Sequence, residues 1–286
     1  MVMPALAPAP RTAPAAPAPS PVAAAYRRLA EVLPALTAEE CAVLPCGDGW
    51  VAAAELAAGG TALDAYLALD DAQVQRDHGE RARPDVIASF GLHRYAWPAC
   101  LLVTVPWFLH RRVPRIPVDA VSFHRTRGRM AARVEEFACL PGDPAAGLPG
   151  ARVVRDEEAL RAEVRSAVAD HFGPLLETFR PRMRRGARAL WGMLTDEITE
   201  GLWYVGRLLG EERRAMTEAE LLLPGGTAPY PGGASFRELT APDGTRLPTR
   251  NRASCCLFYT LRPQDTCVTC PRTRDAERIE RLCTEG

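Results

Sequence analysis

The sequence lacks the features that would assign a chain of this length at once. Its 35 Lys+Arg residues balance 35 Asp+Glu residues, so there is no charge excess of the kind that recruits nucleic acid. No G-x-G-x-x-G follows a predicted strand and no phosphate-binding loop is present, which removes the usual nucleotide readings and weakens a synthetase reading. There is no internal repeat. The longest apolar run, Ala96–Leu109, is too short to span a bilayer and contains Pro98 and Pro106. Residues 1–21 are mostly Ala and Pro, with Arg11 the one charged side chain. With no basic segment leading into an apolar core, they read as a disordered leader, not an export signal. Nine cysteines in 286 residues are too sparse for an extracellular disulfide scaffold. These exclusions leave a cytoplasmic protein in a reducing compartment.

What is present is a chain with 47% hydrophobic residues, enough to bury a large core. Tyr26, Leu29 and Val32/Leu33 predict a first helix ending before Pro34. Capping-box patterns at Thr37–Glu40 and Thr217–Glu220 predict two short helices. A helix is expected from Thr61 to about Gln75, and Pro84–Leu109 reads as one or two buried helices interrupted at the prolines. His93 and His110 are read as satisfied polar edge residues. Arg111, Arg112 and Arg115 form a basic turn, followed by strands at Val118–Phe123 and Met130–Leu140 and a short strand at Arg152–Val154. Asp156 caps a strong helix. The longest helix is expected from Arg184 to Gly210, with Arg188, Glu197, Glu200, Tyr204 and Arg207 on its polar face. A strand at Phe236–Leu239 and the turn Pro242–Gly244 lead into a small cysteine-bearing module. The fold class is therefore α+β: a predominantly helical main domain with a small antiparallel sheet, plus that module. The expected division is a leader at 1–21, a main domain at 22–245 and the module at 246–286.

The module carries the chemistry. Cys255, Cys256, Cys267 and Cys270 put four thiols within sixteen positions. Such crowding means a metal, a disulfide pair or a redox dithiol. Structural zinc sites of four cysteines use two C-x-x-C-like hairpins, and only Cys267–Cys270 has that form. The vicinal pair would point to opposite sides of an extended strand, so joint use on one zinc needs a kink. A [2Fe–2S] core, spread over a larger volume, eases that demand. Spacing alone leaves iron–sulfur, zinc and thiol chemistry all open. Arg250, Arg252, Arg262 and Arg272 flank the cysteines, and positive charge there would favour a reduced cluster. Basic stretches at His110–Arg115, His124–Arg129 and Arg180–Arg188 offer docking for an anionic ligand or only solvated faces.

Arg252-Ala-Ser-Cys-Cys-Leu-Phe-Tyr259 followed by Cys267-Val-Thr-Cys-Pro271 resembles the C-terminal signature of the FhuF-type ferric-siderophore reductases, including its C-C-x10-C-x2-C spacing. Ala189-Leu-Trp-Gly192 resembles the LWG helix of that family and of the C-terminal part of siderophore synthetases, and His93–Trp97 is also similar. The resemblance implies a [2Fe–2S] cluster on Cys255, Cys256, Cys267 and Cys270, and one-electron reduction of a ferric siderophore to release Fe(II). The implied partners are the ferric siderophore and a separate electron donor (a ferredoxin, flavodoxin or flavin reductase). Nucleic acid is not among them. Peripheral contact with a membrane siderophore importer would place the protein at the inner face of the membrane. The alternatives are a zinc-stabilised, non-enzymatic siderophore-binding module and an iron–sulfur electron carrier or redox sensor.

Overall fold

Pro98 and Pro106 lie inside one continuous helix, not between two. The computed structural model describes residues 20–264 and 266–285, so all but the last two residues of the expected leader lie outside the described residues. In chain order the elements are α1 (Ala23–Val32), β1 (Thr37–Glu40), β2 (Trp50–Ala52), α2 (Ala53–Ala58), α3 (Gly60–His78) and α4 (Pro84–His110). Next come β3 (Arg112–Arg115), β4 (Val121–His124), β5 (Arg129–Ala132), β6 (Glu136–Cys139), β7 (Ala151–Val153) and α5 (Glu157–Met183). The chain continues with α6 (Ala187–Leu208), α7 (Glu212–Leu222), β8 (Phe236–Thr240), β9 (Arg246–Arg250) and α8 (Asp275–Glu285).

Helix α4 is the axis of the fold. An interior proline has no N–H for the carbonyl four residues earlier. For Pro106 that carbonyl belongs to Leu102, and the Tyr26 hydroxyl on α1 donates to it at 3.0 Å. By length and composition α4 is long and apolar enough to cross a membrane, yet 72% of its apolar window is buried inside the protein. Helices α1, α3, α5 and α6 pack around it, which explains why it is apolar on all sides. It is a core helix.

The sheets are small and sit on the flanks. One has the order β1-β5-β4-β2 and another β3-β6-β7. Both are mixed, since β1–β5 and β6–β7 run parallel while the other pairs are antiparallel. A hairpin, β8–β9, forms the third. It straddles residue 245, where the boundary to the module was expected. The result is a helical α+β protein.

Five local expectations are corrected. Thr37–Glu40 is a strand: Thr37 pairs with Arg129, and the Cys41 N–H donates to the Ala132 carbonyl at 2.9 Å. A capping box needs an apolar helical run after it, and none follows here. Thr217 lies within α7, where its hydroxyl donates to the Arg213 carbonyl at 3.1 Å. The basic turn is strand β3, paired with β6, and Met130–Leu140 divides into β5 and β6 in different sheets. Helix α6 has 22 residues, whereas α4 and α5 have 27 each. Asp156 does cap α5, its Oδ1 accepting from the Ala159 N–H at 2.8 Å.

Candidate metal centre

The two halves of the cysteine motif meet in a loop clamped between α4, α6 and α8. After Cys256 the chain turns sharply, because Leu257 adopts a left-handed conformation with φ 69°. Such a φ costs a leucine roughly 1–2 kcal/mol, so the surroundings must hold it there. The turn follows the vicinal pair and does not lie between its two members. It brings the Leu257 N–H within 3.4 Å of Cys255 Sγ, and the Arg272 N–H lies 3.5 Å from Cys270 Sγ. Cys256 and Cys267 line one groove, so the two halves of the motif come side by side. The neighbouring Cys267 thiol holds the Cys256 thiol below its ordinary range against the opposing effect of burial, with further help from the charges of His93 and Arg252. The Cys256 thiol and burial together raise Cys267. Cys270 is buried, and the other three cysteines are half-buried.

Helix α6 anchors the loop through one carboxylate. Asp196 is fully buried, and its Oδ1 accepts from Arg250 Nη2 at 2.6 Å and from the Ala253 N–H at 2.7 Å. Its Oδ2 accepts from the Ser254 N–H at 2.8 Å. Burial pushes this carboxyl up, opposed by the charges of Arg250 and Arg252 and by these hydrogen bonds. Arg250 also reaches Glu200 at 2.8 Å, and Arg252 reaches Glu197 at 3.4 Å. Gly192 permits the approach: a Cβ there would lie 3.3 Å from Ser254 Cβ. This gives the LWG segment a role, since its Leu190 is in the core while its glycine faces the cluster loop. Trp191 is partly buried, edge-on to Tyr230.

The other sides are fastened by neutral hydroxyl donors and one buried cation. Ser89 on α4 donates to the Cys256 carbonyl at 3.0 Å. Arg278 on α8, also buried, donates to the Cys270 carbonyl at 3.0 Å and to Asn251 Oδ1 at 2.9 Å. Thr273 donates to the Cys267 carbonyl at 3.0 Å. The flanking arginines are therefore not a free positive collar. Arg250 and Arg252 are paired with α6, Arg262 donates to the His78 carbonyl, and Arg272 stacks 4.0 Å from the Tyr259 ring centroid.

Two grooves open onto the loop. A groove of about 480 Å³ has Cys256 and Cys267 in its wall, with Trp97, Phe90, Phe258 and His93 around them. His93 was expected to be a plain edge residue. It is instead paired through Nδ1 to Glu197 beside Cys256, and its buried Nε2 has no partner among the described residues. His110 is exposed at the end of α4. The second groove, of about 630 Å³, contains Cys255, Arg185 and Arg188.

Asp196, Ser89 and Arg278 escape sequence reasoning. Asp196 falls between the apolar positions Leu194 and Ile198, and an acid so close to the buried stripe was the available signal. Ser89 and Arg278 carried none. Among the described residues no three His, Cys, Asp or Glu side chains converge on one ion-sized position. Four thiols from the two halves of one loop, with backbone N–H groups near Cys255 and Cys270, suit a larger thiolate-bound core, in which such donors stabilise sulfur charge. Residues 252–272 match the family model described as the FhuF 2Fe-2S C-terminal domain, a span that includes all four cysteines. No curated protein matches the chain. Residues 252–272 thus form a 2Fe-2S domain similar to that of FhuF, and the cofactor is a [2Fe–2S] cluster.

Proposed function

We propose that this protein is a cytoplasmic ferric-siderophore reductase, working at or near the inner face of the membrane. In this reading Cys255, Cys256, Cys267 and Cys270 hold the cluster. One observation carries it: two of the four thiols, Cys256 and Cys267, line an aromatic groove of about 480 Å³, a size suited to a small chelate. A simple electron carrier has no use for such a groove.

The cluster, when bound, supplies one electron. The chain's own residues hold the ferric chelate against Cys256 and Cys267 and keep water away. Trp97, Phe90 and Phe258 give apolar walls. The charges of Arg94 and Arg252 are committed to Asp70, Asp196 and Glu197, so the groove presents no free arginine, and Asp77 is the acid in its wall without an ion-pair partner among the described residues. His93 is held by Glu197 beside Cys256, and its Nε2 has no partner among the described residues. Fe(III) is held tightly by hard oxygen donors and Fe(II) much more weakly, so a single electron releases the metal with the chelator intact. The electron comes from a separate donor protein.

The test uses cluster-loaded protein, reduced and freed of excess reductant. Mixed anaerobically with a ferric siderophore and an Fe(II) trap, it should yield one Fe(II) for each cluster reoxidised. A Cys256→Ser variant should lose cluster and activity by about 100-fold. Cluster oxidation with no trapped Fe(II) would sink the reductase reading.

A further inference from the structure

The three arginine-rich stretches end in different electrostatic states. In the first, Arg111 pairs with Glu157 and Glu218, Arg112 with Asp143, and Arg115 with Glu163 and Asp170. In the second, Arg125 pairs with Asp70 and Arg129 with Glu39, and only Arg127 at the turn has no carboxylate partner among the described residues. In the third, Arg180 pairs with Glu177 and Arg182 with Asp64. There the neutralisation stops. Arg184, Arg185 and Arg188 have no carboxylate partner among the described residues, and Arg185 donates only to Ser254 Oγ at 3.1 Å. Arg184 and Arg188 are exposed.

These free charges lie where α5 turns into α6, with Arg185 and Arg188 in the same groove as Cys255. Arg184 itself takes the left-handed conformation, φ 53°, that makes the turn. Arg185 and Arg188 line the groove of about 630 Å³ that contains Cys255, and no acidic or aromatic side chain lines it. Helix α6 starts there with no side chain capping its first N–H groups, which adds positive potential. This groove shares no residue with the aromatic groove at Cys256 and Cys267. The vicinal cysteines thus face two different openings, one aromatic with its arginines paired and one basic.

The geometry points to the basic groove as the docking surface for an acidic one-electron carrier protein, which delivers its electron by way of Cys255. The inference rests on the four cysteines holding the cluster and on the reductase reading. The carrier is oxidised by one electron, the cluster is reduced by one, and no bond or proton moves. Separate grooves let the carrier and the chelate be bound together, so that donor and chelate need not alternate on one surface. A protein fits better than a free flavin because the groove has no ring on which an isoalloxazine could stack. Arginine also suits carboxylate-rich partners, since it pairs with them bidentately.

The experiment uses the full, cluster-loaded chain and the hydroquinone form of an acidic flavodoxin, whose flavin absorbance is separable from the cluster's. An Arg184→Glu/Arg188→Glu double variant is compared with Arg207→Glu, an equally exposed arginine elsewhere on α6. Cluster reduction by flavodoxin should slow at least 10-fold at low salt in the double variant only, with a shallower dependence on ionic strength. Calorimetric binding of oxidised flavodoxin should weaken by a similar factor. Equal rates and salt slopes in the two variants would overturn the proposal. So would a double variant that loses reduction by free reduced FMN while keeping flavodoxin, because the groove would then be a phosphate site. No siderophore enters this test, so it stands or fails independently of Fe(II) release.

Discussion

Asp196 carries more of the centre than any other side chain outside the cysteines. Its two oxygens take two consecutive backbone N–H groups immediately before Cys255 and one arm of Arg250, all away from solvent. Neutralising it leaves a fully buried guanidinium short of one partner. An amide would also place an NH2 group where only acceptors fit. Breaking a buried pair in this way costs about 3–5 kcal/mol, more than the pair's net worth to folding. Asp196→Asn should therefore lower the denaturant midpoint by an amount equivalent to about 3 kcal/mol and reduce iron and sulfide per chain. Full cluster content with unchanged stability would show that the loop is held by Ser89 and Arg278 alone. Leu257 belongs to the same local economy: its left-handed φ is maintained because the residues on either side are fixed to α6 and α4.

At the scale of elements, α4 shows how a sequence rule can be correct in its physics and wrong in its outcome. Proline does break a backbone hydrogen bond, but at Pro106 the freed Leu102 carbonyl has a second donor in Tyr26. The helix continues. Removing that donor with Tyr26→Phe should cost about 1–2 kcal/mol in urea unfolding, the penalty of an unsatisfied buried carbonyl. In a Pro106→Ala background the restored N–H serves the carbonyl, and the cost of Tyr26→Phe should fall by at least half. A cycle showing no coupling would remove this account of the helix. The periodic helices were legible for similar local reasons: α1, α3 and α5 bury one stripe each, and Asp156 caps where it should, whereas α6 is buried all round over residues 192–199, including Glu197, which was expected on its polar face. The two capping boxes misled because four residues of polar pattern look alike in a strand edge, a helix middle and a helix start. Only the register with β5, set by residues ninety positions away, decides that Thr37–Glu40 is extended.

For the whole molecule, the thiol set was readable because its chemistry is written in local spacing. The supporting shell was not, since Asp196, Glu197 and Glu200 find Arg250 and Arg252 only after α6 and the cluster loop have docked. The same holds for His171, deep in the core between α5 and α4. Its Nδ1 hydrogen-bonds the Ile116 carbonyl at 2.8 Å and its Nε2 lies 2.7 Å from the Tyr95 hydroxyl. The neutral ring donates to the carbonyl and accepts from the tyrosine, so both nitrogens are satisfied without a charge. Burial lowers its pKa to about 4 from the ordinary 6.5. An unfolded chain takes up a proton near pH 6.5 that the folded chain refuses until about pH 4, so folding stability falls as pH drops through that window. A shift of this size is worth about 3 kcal/mol in full, of which roughly 2 kcal/mol is lost between pH 7 and pH 5. Chemical unfolding at both pH values should show that loss in the parent protein. His171→Gln should start from lower stability at pH 7 and lose less on acidification. Comparing the two proteins at each pH cancels the acid lability of the cluster, which both share. Parallel pH dependences would mean that another buried group governs the acid limb.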